Sequence, residues 1–238
     1  MAAVFRGLAL GVGLRAHGGR CPACGPSFFV RYGNDETAVR CIRCRATPIT
    51  LSLLTVLREL YSSFAHLKAY ELSTRGALVK FLRKRVANLT TSEYVEGALP
   101  GETREGVLNQ DVMRLTFADA SFDLCTSTEV FEHVSNDLQG FREIRRVLRP
   151  GGRFVFTVPM KSGPTLTRAI QRGSAIEHLL EPEFHSDRLR GRGKVLCFRT
   201  YGADIVQRLE AMGFAARIET PSKRWFGHVR PVVVAERR

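Results

Sequence analysis

Four of the six cysteines are arranged as two pairs near the N-terminus. Cys21 and Cys24 form one C-x2-C pair, and Cys41 and Cys44 form a second pair after sixteen intervening residues. Each pair can direct two thiolates at one ion, and two pairs complete a closed tetrahedral Zn2+ site. Disulfides are the alternative, but the regular spacing and the lack of secretory features favour zinc. The pattern predicts a structural zinc ribbon over residues 21–48, in which metal binding supplies the folding energy.

The side chains around these cysteines leave the role of the ribbon open. Basic and aromatic residues are interleaved there: Arg31, Arg40, Arg43, Arg45, Phe28, Phe29 and Tyr32. Such a mixture is typical of a surface that grips nucleic acid. It is equally typical of a solvated face over a minimal core, and the sequence alone supports both interpretations.

A histidine and an aspartate, His185 and Asp187, are candidates for proton transfer. They lie in a long basic segment at about 160–200, which we expect to be a lid or substrate loop. The basic residues of this segment are Arg168, Arg172, Arg188, Arg190, Arg192, Lys194 and Arg199. An imidazole oriented by a nearby carboxylate is a suitable general base, although a solvated polar loop explains the pair equally well.

The composition is strongly basic. The 238 residues include 36 Lys and Arg against 23 Asp and Glu, a formal net charge of +13. This balance favours anionic partners such as RNA, although an arginine-rich composition in general gives the same balance. No apolar run reaches the length of about 18 residues that a transmembrane helix needs. Residues 1–20 are predicted to be a flexible basic arm, and we expect a cytoplasmic protein.

Strands alternate with helices from residue 67 onward. A helix predicted over 49–66 links this region to the ribbon. The predicted strands are 67–73, 88–94, 106–112, 122–130, 153–159, 215–221 and 231–237. Helices are predicted over 77–87 and 202–214, and from Asp137 to a stop at Pro150 and the following glycines. This alternation predicts an α/β fold with a doubly wound parallel sheet.

The most specific stretch is 111–159. It contains L-T-F-A-D-A-S-F-D, then T-S-T-E-V-F-E-H-V, then E-I-R-R-V-L-R-P-G-G-R-F-V. In order and spacing these segments resemble the class I S-adenosylmethionine-dependent methyltransferases of the type-11 group. With the flanking strands the resemblance covers about 67–238. It implies a methyltransferase domain with a seven-stranded Rossmann-like sheet and S-adenosylmethionine as cofactor, and it does not identify the methyl acceptor.

The resemblance also implies a role for the segment Y-E-L-S-T-R-G at 70–76. The family has an E-x-G-x-G-x-G turn here, close to the methionine part of the cofactor. This chain keeps Glu71, has Ser73 and Arg75 in place of glycines, and has Gly76 beside them. Ser73 is small, and the Arg75 guanidinium suits the cofactor carboxylate. We interpret the turn as altered but functional.

Further cofactor contacts follow from the same resemblance. Glu93, at the end of the second strand, would hold the two ribose hydroxyls, since a carboxylate accepts two hydrogen bonds. Asp111 would meet the adenine amino group, and the backbone N–H of Val112 would serve the ring. Ser127, Thr128 and Glu129 would line the open side of the cofactor.

Four further polar residues lie outside the predicted cofactor and zinc sites. Glu132 and His133 are interpreted as groups that cap and pack the following helix. Cys125 and Cys197 have no partners at metal-binding spacing, and Cys125 is interpreted as a small core residue.

The leading hypothesis is a methyltransferase that acts on a small-molecule acceptor. One alternative is an RNA methyltransferase whose ribbon and basic lid hold the nucleic acid, but S-T-E-V stands where an N-P-P-Y-type motif marks many enzymes that act on base amino groups. The other alternative is a non-catalytic zinc-ribbon scaffold with a degenerate cofactor site. Retention of both Glu93 and Asp111 speaks against the scaffold.

Overall fold

The computed structural model describes residues 13–95, 97–186 and 193–238. Their contacts divide the chain into two units. Unit 1 consists of Met1–His66, Arg75–Ala87 and Glu219–Val232. Unit 2 consists of Leu67–Thr74, Asn88–Ile218 and Val233–Arg238. Unit 2 begins at the predicted boundary, but unit 1 also takes up two later segments of the chain.

Unit 1 begins with a three-stranded antiparallel sheet. Its strands are β1 (Arg15–Cys21), β2 (Gly25–Arg31) and β3 (Val39–Cys41), in that order, with a 3-10 turn at Glu36–Ala38. The predicted arm over 1–20 thus contains most of a paired strand from Arg15 onward, while residues 1–12 lie outside the described residues.

Two helices complete the core of unit 1: α1 (Pro48–Leu60) and α2 (Gly76–Arg83). Proline in the first turn suits the start of α1, and Thr47 Oγ1 accepts a hydrogen bond from Thr50 N at 3.5 Å. Four leucines of α1 are fully buried: Leu51, Leu53, Leu54 and Leu57. The predicted helix is therefore observed, although it ends at Leu60.

Unit 2 contains the remaining elements. Its strands are β4 (Lys68–Glu71), β5 (Asn88–Thr91), β6 (Thr103–Arg104), β7 (Val107–Leu108), β8 (Phe122–Thr128), β9 (Leu148–Thr157), β10 (Leu166–Thr167), β11 (Ala169–Arg172), β12 (Ala175–His178), β13 (Phe184–Ser186), β14 (Lys194–Leu196), β15 (Arg199–Thr200), β16 (Phe214–Glu219) and β17 (Val232–Arg237). Its helices are a 3-10 turn at Phe131–His133, α3 (Asp137–Val147) and α4 (Ile205–Glu210).

Six of these strands form the central sheet, in the order β16-β17-β9-β8-β4-β5. Strands β5, β4, β8 and β9 run parallel, and β17 is antiparallel to β9. The buried apolar cluster of unit 2 includes Phe131, Phe141, Phe154 and Phe156. The predicted α/β class is confirmed, but the described residues give a sheet of six strands rather than the predicted seven.

The segment predicted as a third strand, 106–112, explains the difference. Only Val107–Leu108 is a strand, and it pairs with β6 in a hairpin. The following Asn109 is buried, and its side chain donates to the carbonyls of Ala98 and Leu99 at 2.9 Å. These bonds hold Asn109 against the preceding loop at 98–99, and a parallel bridge joins Asn109 to Glu93.

Two other predicted boundaries differ from the structure. Helix α3 ends at Val147, and β9 begins at Leu148, before Pro150. The proline disfavours helical geometry at Arg149, so the chain extends earlier than the glycines suggest. The predicted loop at 160–200 contains three short antiparallel pairs, which are β10 with β15, β11 with β12, and β13 with β14.

Among the described residues, no helix combines the length and the apolar character that crossing a bilayer would require.

A buried carboxylate joins helix α3 to the end of the chain's basic segment and to α4. Asp137 is only 2% exposed. It accepts hydrogen bonds from Tyr201 Oη at 3.0 Å and from Arg208 Nη2 at 2.7 Å, and Arg199 Nε lies 3.5 Å away. Removing this acceptor would leave two guanidinium groups without their counter-charge in a buried place.

The variant Asp137→Ala should therefore lower the free energy of unfolding by about 3–5 kcal/mol. The matched control is Asp119→Ala, since Asp119 pairs with Arg146 but its side chain is 77% exposed. The control should cost no more than about 1 kcal/mol. Urea unfolding of both variants measures the two losses, and equal losses would contradict the assigned role of Asp137.

Candidate cofactor edge and metal centre

The carboxyl ends of three parallel strands meet at one edge of the central sheet. In the register of β4 with its neighbours, Glu71 lies opposite Thr91 of β5 and Thr126 of β8. In open α/β sheets ligands bind outside this edge. Glu71, Ser73, Glu93, Thr128 and Glu129 lie at or just after the ends of these strands, whereas Asp111 and Val112 follow β7.

A direct hydrogen-bond pair connects the turn after β4 to the end of β5. Glu93 Oε1 accepts from Thr74 N at 2.9 Å and from Thr74 Oγ1 at 2.8 Å, and Glu93 is buried. The parallel bridge from Glu93 to Asn109 brings the next segment alongside, with Gln110 N donating to Glu93 O at 3.0 Å. Glu93 and Asp111, predicted from separate motifs, are thus carried on adjacent segments.

Asp111 and Val112 lie in a tight turn. Asp111 Oδ1 accepts from Met113 N at 2.9 Å, and Asp111 O accepts from Arg114 N at 2.9 Å. Both residues are half-buried, and Val112 packs against the apolar cluster of unit 2. The hydrogen bond from Met113 N therefore fixes one carboxylate oxygen of Asp111.

Glu71 is a fully buried carboxyl group at the end of β4. It accepts hydrogen bonds from Ser73 Oγ at 2.9 Å and from Thr126 Oγ1. Burial raises the pKa of Glu71 to about 8, because desolvation of the charged form, together with repulsion from the nearby Glu93, outweighs the hydrogen bonds from the two hydroxyl donors. The group is therefore mainly protonated at neutral pH in the protein alone.

The end of β8 carries a strained residue and unsatisfied hydroxyls. Glu129, next to Thr128, has φ of 52°, in the left-handed region that a non-glycine residue seldom adopts. Two buried hydroxyl oxygens, Ser127 Oγ and Thr157 Oγ1, have no hydrogen-bond partner among the described residues. Buried polar atoms of this kind usually find a partner, so the edge is suited to a polar ligand.

Arg75 and Gly76 lie at the start of α2, which belongs to unit 1. Arg75 is the exposed N-cap residue, and Gly76 has φ of +97°. No atom lies within 4 Å of the point where a Cβ on Gly76 would stand, so backbone conformation rather than space explains the glycine. The role of both residues in cofactor binding stays a prediction.

The four N-terminal cysteines are brought together by the ends of β1 and β3. Cys21 Sγ lies 3.6 Å from Cys44 Sγ, and Cys24 Sγ lies 3.6 Å from Cys41 Sγ. These separations exceed a disulfide bond of about 2.05 Å. They approach the edge of about 3.8 Å in a tetrahedron of Zn–S bonds of about 2.3 Å. The Cys44 thiol lowers the pKa of Cys21 to about 5, which favours a thiolate there.

Several ribbon residues that suggested nucleic-acid binding have internal partners. Arg43 Nη1 donates to Cys24 O at 3.1 Å and to Pro26 O at 2.7 Å, and Arg31 Nε donates to Gly33 O at 2.7 Å. Phe29 is buried, whereas Phe28 and Tyr32 are exposed.

The structure places His185 in a cluster that the sequence did not predict. His133, His185 and Cys197 each offer one ligand atom, and these atoms all lie within 4.8 Å of one another. Glu132 is also present, with its Oε1 atom 3.6 Å from His185 Nδ1. Asp187, the predicted partner of His185, lies outside the described residues.

The cluster is strongly coupled electrostatically. Cys197 and Glu132 raise the pKa of His185 to about 10. Burial opposes protonation of His133, but Cys197 and Glu132 outweigh it and raise its pKa. Burial likewise favours the neutral Cys197 thiol, but the two imidazoles outweigh it and lower its pKa. Without another cation, the histidines provide the positive charge that balances the cluster.

The comparisons with known proteins agree with this fold. The type-11 family model, described as a methyltransferase domain, matches residues 72–156. The match includes the turn after β4, the end of β5, the Asp111 turn and the end of β8. This segment of the chain therefore matches the methyltransferase family that the sequence motifs predicted.

The curated relatives align with only a part of this chain, and the solved structures share little sequence identity with it. The sterol 24-C-methyltransferase of Aspergillus fumigatus is 38% identical over 85 residues, which is 32% of this chain and 22% of that protein. The chain spans less than half the length of the curated relatives it matches.

Two solved structures share the fold. An S-adenosylmethionine-dependent methyltransferase from Mesorhizobium loti has a TM-score of 0.52 and 18% identity, covering 78% of this chain and 98% of that one. The 1,6-didemethyltoxoflavin-N1-methyltransferase of Burkholderia thailandensis, solved with its substrate and S-adenosylhomocysteine, has a TM-score of 0.52 and 17% identity over 80% and 78% of the two chains.

The raised pKa of Glu71 predicts how the free energy of unfolding changes with pH. Its folded-state pKa of about 8 lies above the ordinary value of 4.5, so the folded state binds this proton more tightly than the unfolded state. Its contribution therefore becomes less favourable to folding as pH rises from about 4.5 to about 8. The variant Glu71→Gln should gain stability relative to the natural protein over this window, on the order of 1.4 kcal/mol per pH unit. Urea unfolding at several pH values measures the difference, and a constant difference would contradict a raised pKa.

Proposed function

We propose that the protein transfers a methyl group from S-adenosylmethionine to a small-molecule acceptor. The observation that carries the proposal is the fixed pair of Glu93 and Thr74 at the carboxyl edge of the sheet, with Asp111 on the adjoining segment. This pair lies within a methyltransferase domain. A scaffold that had lost cofactor binding would have no need of these acidic groups in the arrangement that the family uses.

The residues of unit 2 suit the cofactor's polar groups. Glu93 would accept from the ribose hydroxyls, Asp111 from the adenine amino group, and the Val112 backbone N–H would donate to the ring. The unsatisfied Ser127 and Thr157 hydroxyls and the strained Glu129 lie at the ends of adjacent strands. They support a polar ligand at this edge.

The protein's contribution to catalysis is mainly positioning. When bound, S-adenosylmethionine supplies a methyl group that its sulfonium already activates. The chain then has to hold the acceptor in line and exclude water, and it needs a base only if the acceptor must lose a proton. The role of His185 as a general base oriented by Asp187 stays a prediction.

The partners of the arginines in the basic segment support a small-molecule acceptor over RNA. Arg168 donates to Glu181 O, Arg172 pairs with Glu177, and Arg199 donates to Val134 O and Ser135 O. Arg168 and Arg199 therefore bind backbone within the protein, and Arg172 has an exposed carboxylate partner, which weakens the argument for RNA. Arg188, Arg190 and Arg192 lie outside the described residues. Two relatives of the domain also act on small molecules by name, a sterol and a didemethyltoxoflavin.

We also propose that the four N-terminal cysteines bind a structural zinc ion. The two Sγ–Sγ separations of 3.6 Å support it. The six cysteines are free thiols in the structure, which supports a reducing compartment such as the cytoplasm.

Titration with S-adenosylmethionine and S-adenosylhomocysteine tests the cofactor site. We expect micromolar binding by calorimetry, weakened tenfold or more in Asp111→Ala, because a hydrogen bond to a charged group contributes about 1.5–3 kcal/mol. Asp119→Ala, an exposed carboxylate away from the strand ends, is the matched control and should bind normally. Absence of binding to a folded protein, or full binding by Asp111→Ala, would contradict the proposal.

Metal analysis tests the ribbon. The double variant Cys24→Ser, Cys44→Ser should contain one zinc ion fewer per chain than the natural protein, because two thiolates cannot hold the ion that four hold. Cys125→Ser, a buried cysteine outside the ribbon, should keep the natural zinc content. Equal zinc content in the double variant and the natural protein would exclude the ribbon as a zinc site.

A further inference from the structure

We infer that unit 2 contains a second metal site, with His133, His185, Cys197 and Glu132 as ligands and Zn2+ as the ion. The site is separate from the four-cysteine ribbon and from the cofactor edge, and it does not depend on either proposal above. One thiolate, two imidazoles and one carboxylate form a donor set that suits zinc.

The distances between ligand atoms fit one small ion. Glu132 Oε1 lies 3.6 Å from His185 Nδ1 and 3.7 Å from His133 Nε2. Ligands of a tetrahedral zinc ion at about 2.0–2.1 Å lie about 3.4 Å apart. Cys197 closes the group, since its ligand atom and those of the two histidines lie within 4.8 Å of one another. The two oxygen–nitrogen separations are too long for hydrogen bonds and close to those of a coordination shell.

The outer nitrogen of each imidazole already has an orienting partner. His133 Nδ1 donates to Leu196 O at 2.8 Å and also lies 3.9 Å from Cys197 Sγ, whereas Nε2 faces Glu132. His185 Nε2 lies 3.5 Å from Glu183 Oε1, which leaves Nδ1 facing Glu132. A carbonyl on one histidine and a carboxylate on the other are the usual outer partners of metal-bound imidazoles.

The buried carboxylate of Glu132 is a second observation, independent of the distances, that indicates a bound cation. Its side chain is only 1% exposed, and neither carboxylate oxygen has a hydrogen-bond partner among the described residues. An anion buried in this way costs several kcal/mol unless it is neutralised. With the Cys197 thiolate it supplies two negative charges, which balance a divalent cation.

The backbone holds the four ligands in place. Phe198 N donates to Glu132 O at 2.8 Å, and Cys197 N donates to Glu183 O at 2.8 Å. The pairing of β13 with β14 sets His185 opposite Val195. The metal would therefore tie the turn after β8 to the basic segment, and with four protein ligands it would leave no open position for catalysis.

The experiment is metal analysis of untagged, full-length protein, together with absorption spectra after cobalt replacement. We expect two zinc ions per chain in the natural protein and one in His185→Asn. The side chain of His185 is 34% exposed, so this variant should fold. The matched control is His178→Asn, an exposed histidine on β12, which should keep two. Glu132→Gln, which keeps the shape but not the charge, should also lose one.

The ribbon variant Cys24→Ser, Cys44→Ser separates the two sites. It should keep one ion, and its cobalt form should show weaker thiolate charge-transfer absorption than the ribbon site, because the remaining site has one thiolate. One zinc ion in the natural protein that disappears in the ribbon variant would overturn the inference. Two zinc ions in His185→Asn would overturn it as well, since the histidines and Glu132 would then be an ion cluster without metal. The zinc content is measured without cofactor, which keeps this test distinct from that of the cofactor site.

Discussion

The parallel pairing of β4 with β5 and β8 is the constraint on which the candidate active site depends. It places the ends of three strands at one edge, and the hydrogen bonds from Thr74 to Glu93 then fix the turn after β4 against the end of β5. In the related family, close backbone approach brings the turn to the cofactor, whereas here side-chain bonds to Glu71 and Glu93 hold Ser73 and Thr74.

Much of the fold was predictable because local patterns agree with tertiary contacts. The apolar runs of β8 and β9 and the amphipathic pattern of α3 gave the right elements, and the type-11 motifs gave the domain. The sequence did not predict that the segment at 106–112 would fail to join the central sheet. This outcome depends on the buried hydrogen bonds from the Asn109 side chain to the loop at 98–99. The early end of α3 depends on the proline that follows Arg149.

The cluster of His133, His185, Cys197 and Glu132 could not be predicted from the spacing of these residues in the sequence. Zinc ribbons place their ligands in pairs close in sequence, and Cys21, Cys24, Cys41 and Cys44 follow that rule. His133 and Cys197 are 64 positions apart and meet only when the basic segment folds back onto the turn after β8. The same fold gives His185 neighbours that a general-base interpretation did not include. The interpretation of Glu132 and His133 as helix caps differs from the structure, because Asn136 caps α3.

The central claim is that this domain moves a methyl group to a small molecule. The most direct measurement is transfer of radioactive methyl from S-adenosylmethionine by zinc-loaded protein, with a low-mass metabolite extract and total RNA of the source cells offered separately. The account predicts label in the low-mass fraction, and none when Glu93→Ala replaces the natural protein. Label confined to RNA would contradict the acceptor class, and no label in either fraction from protein that binds the cofactor would contradict the enzymatic role.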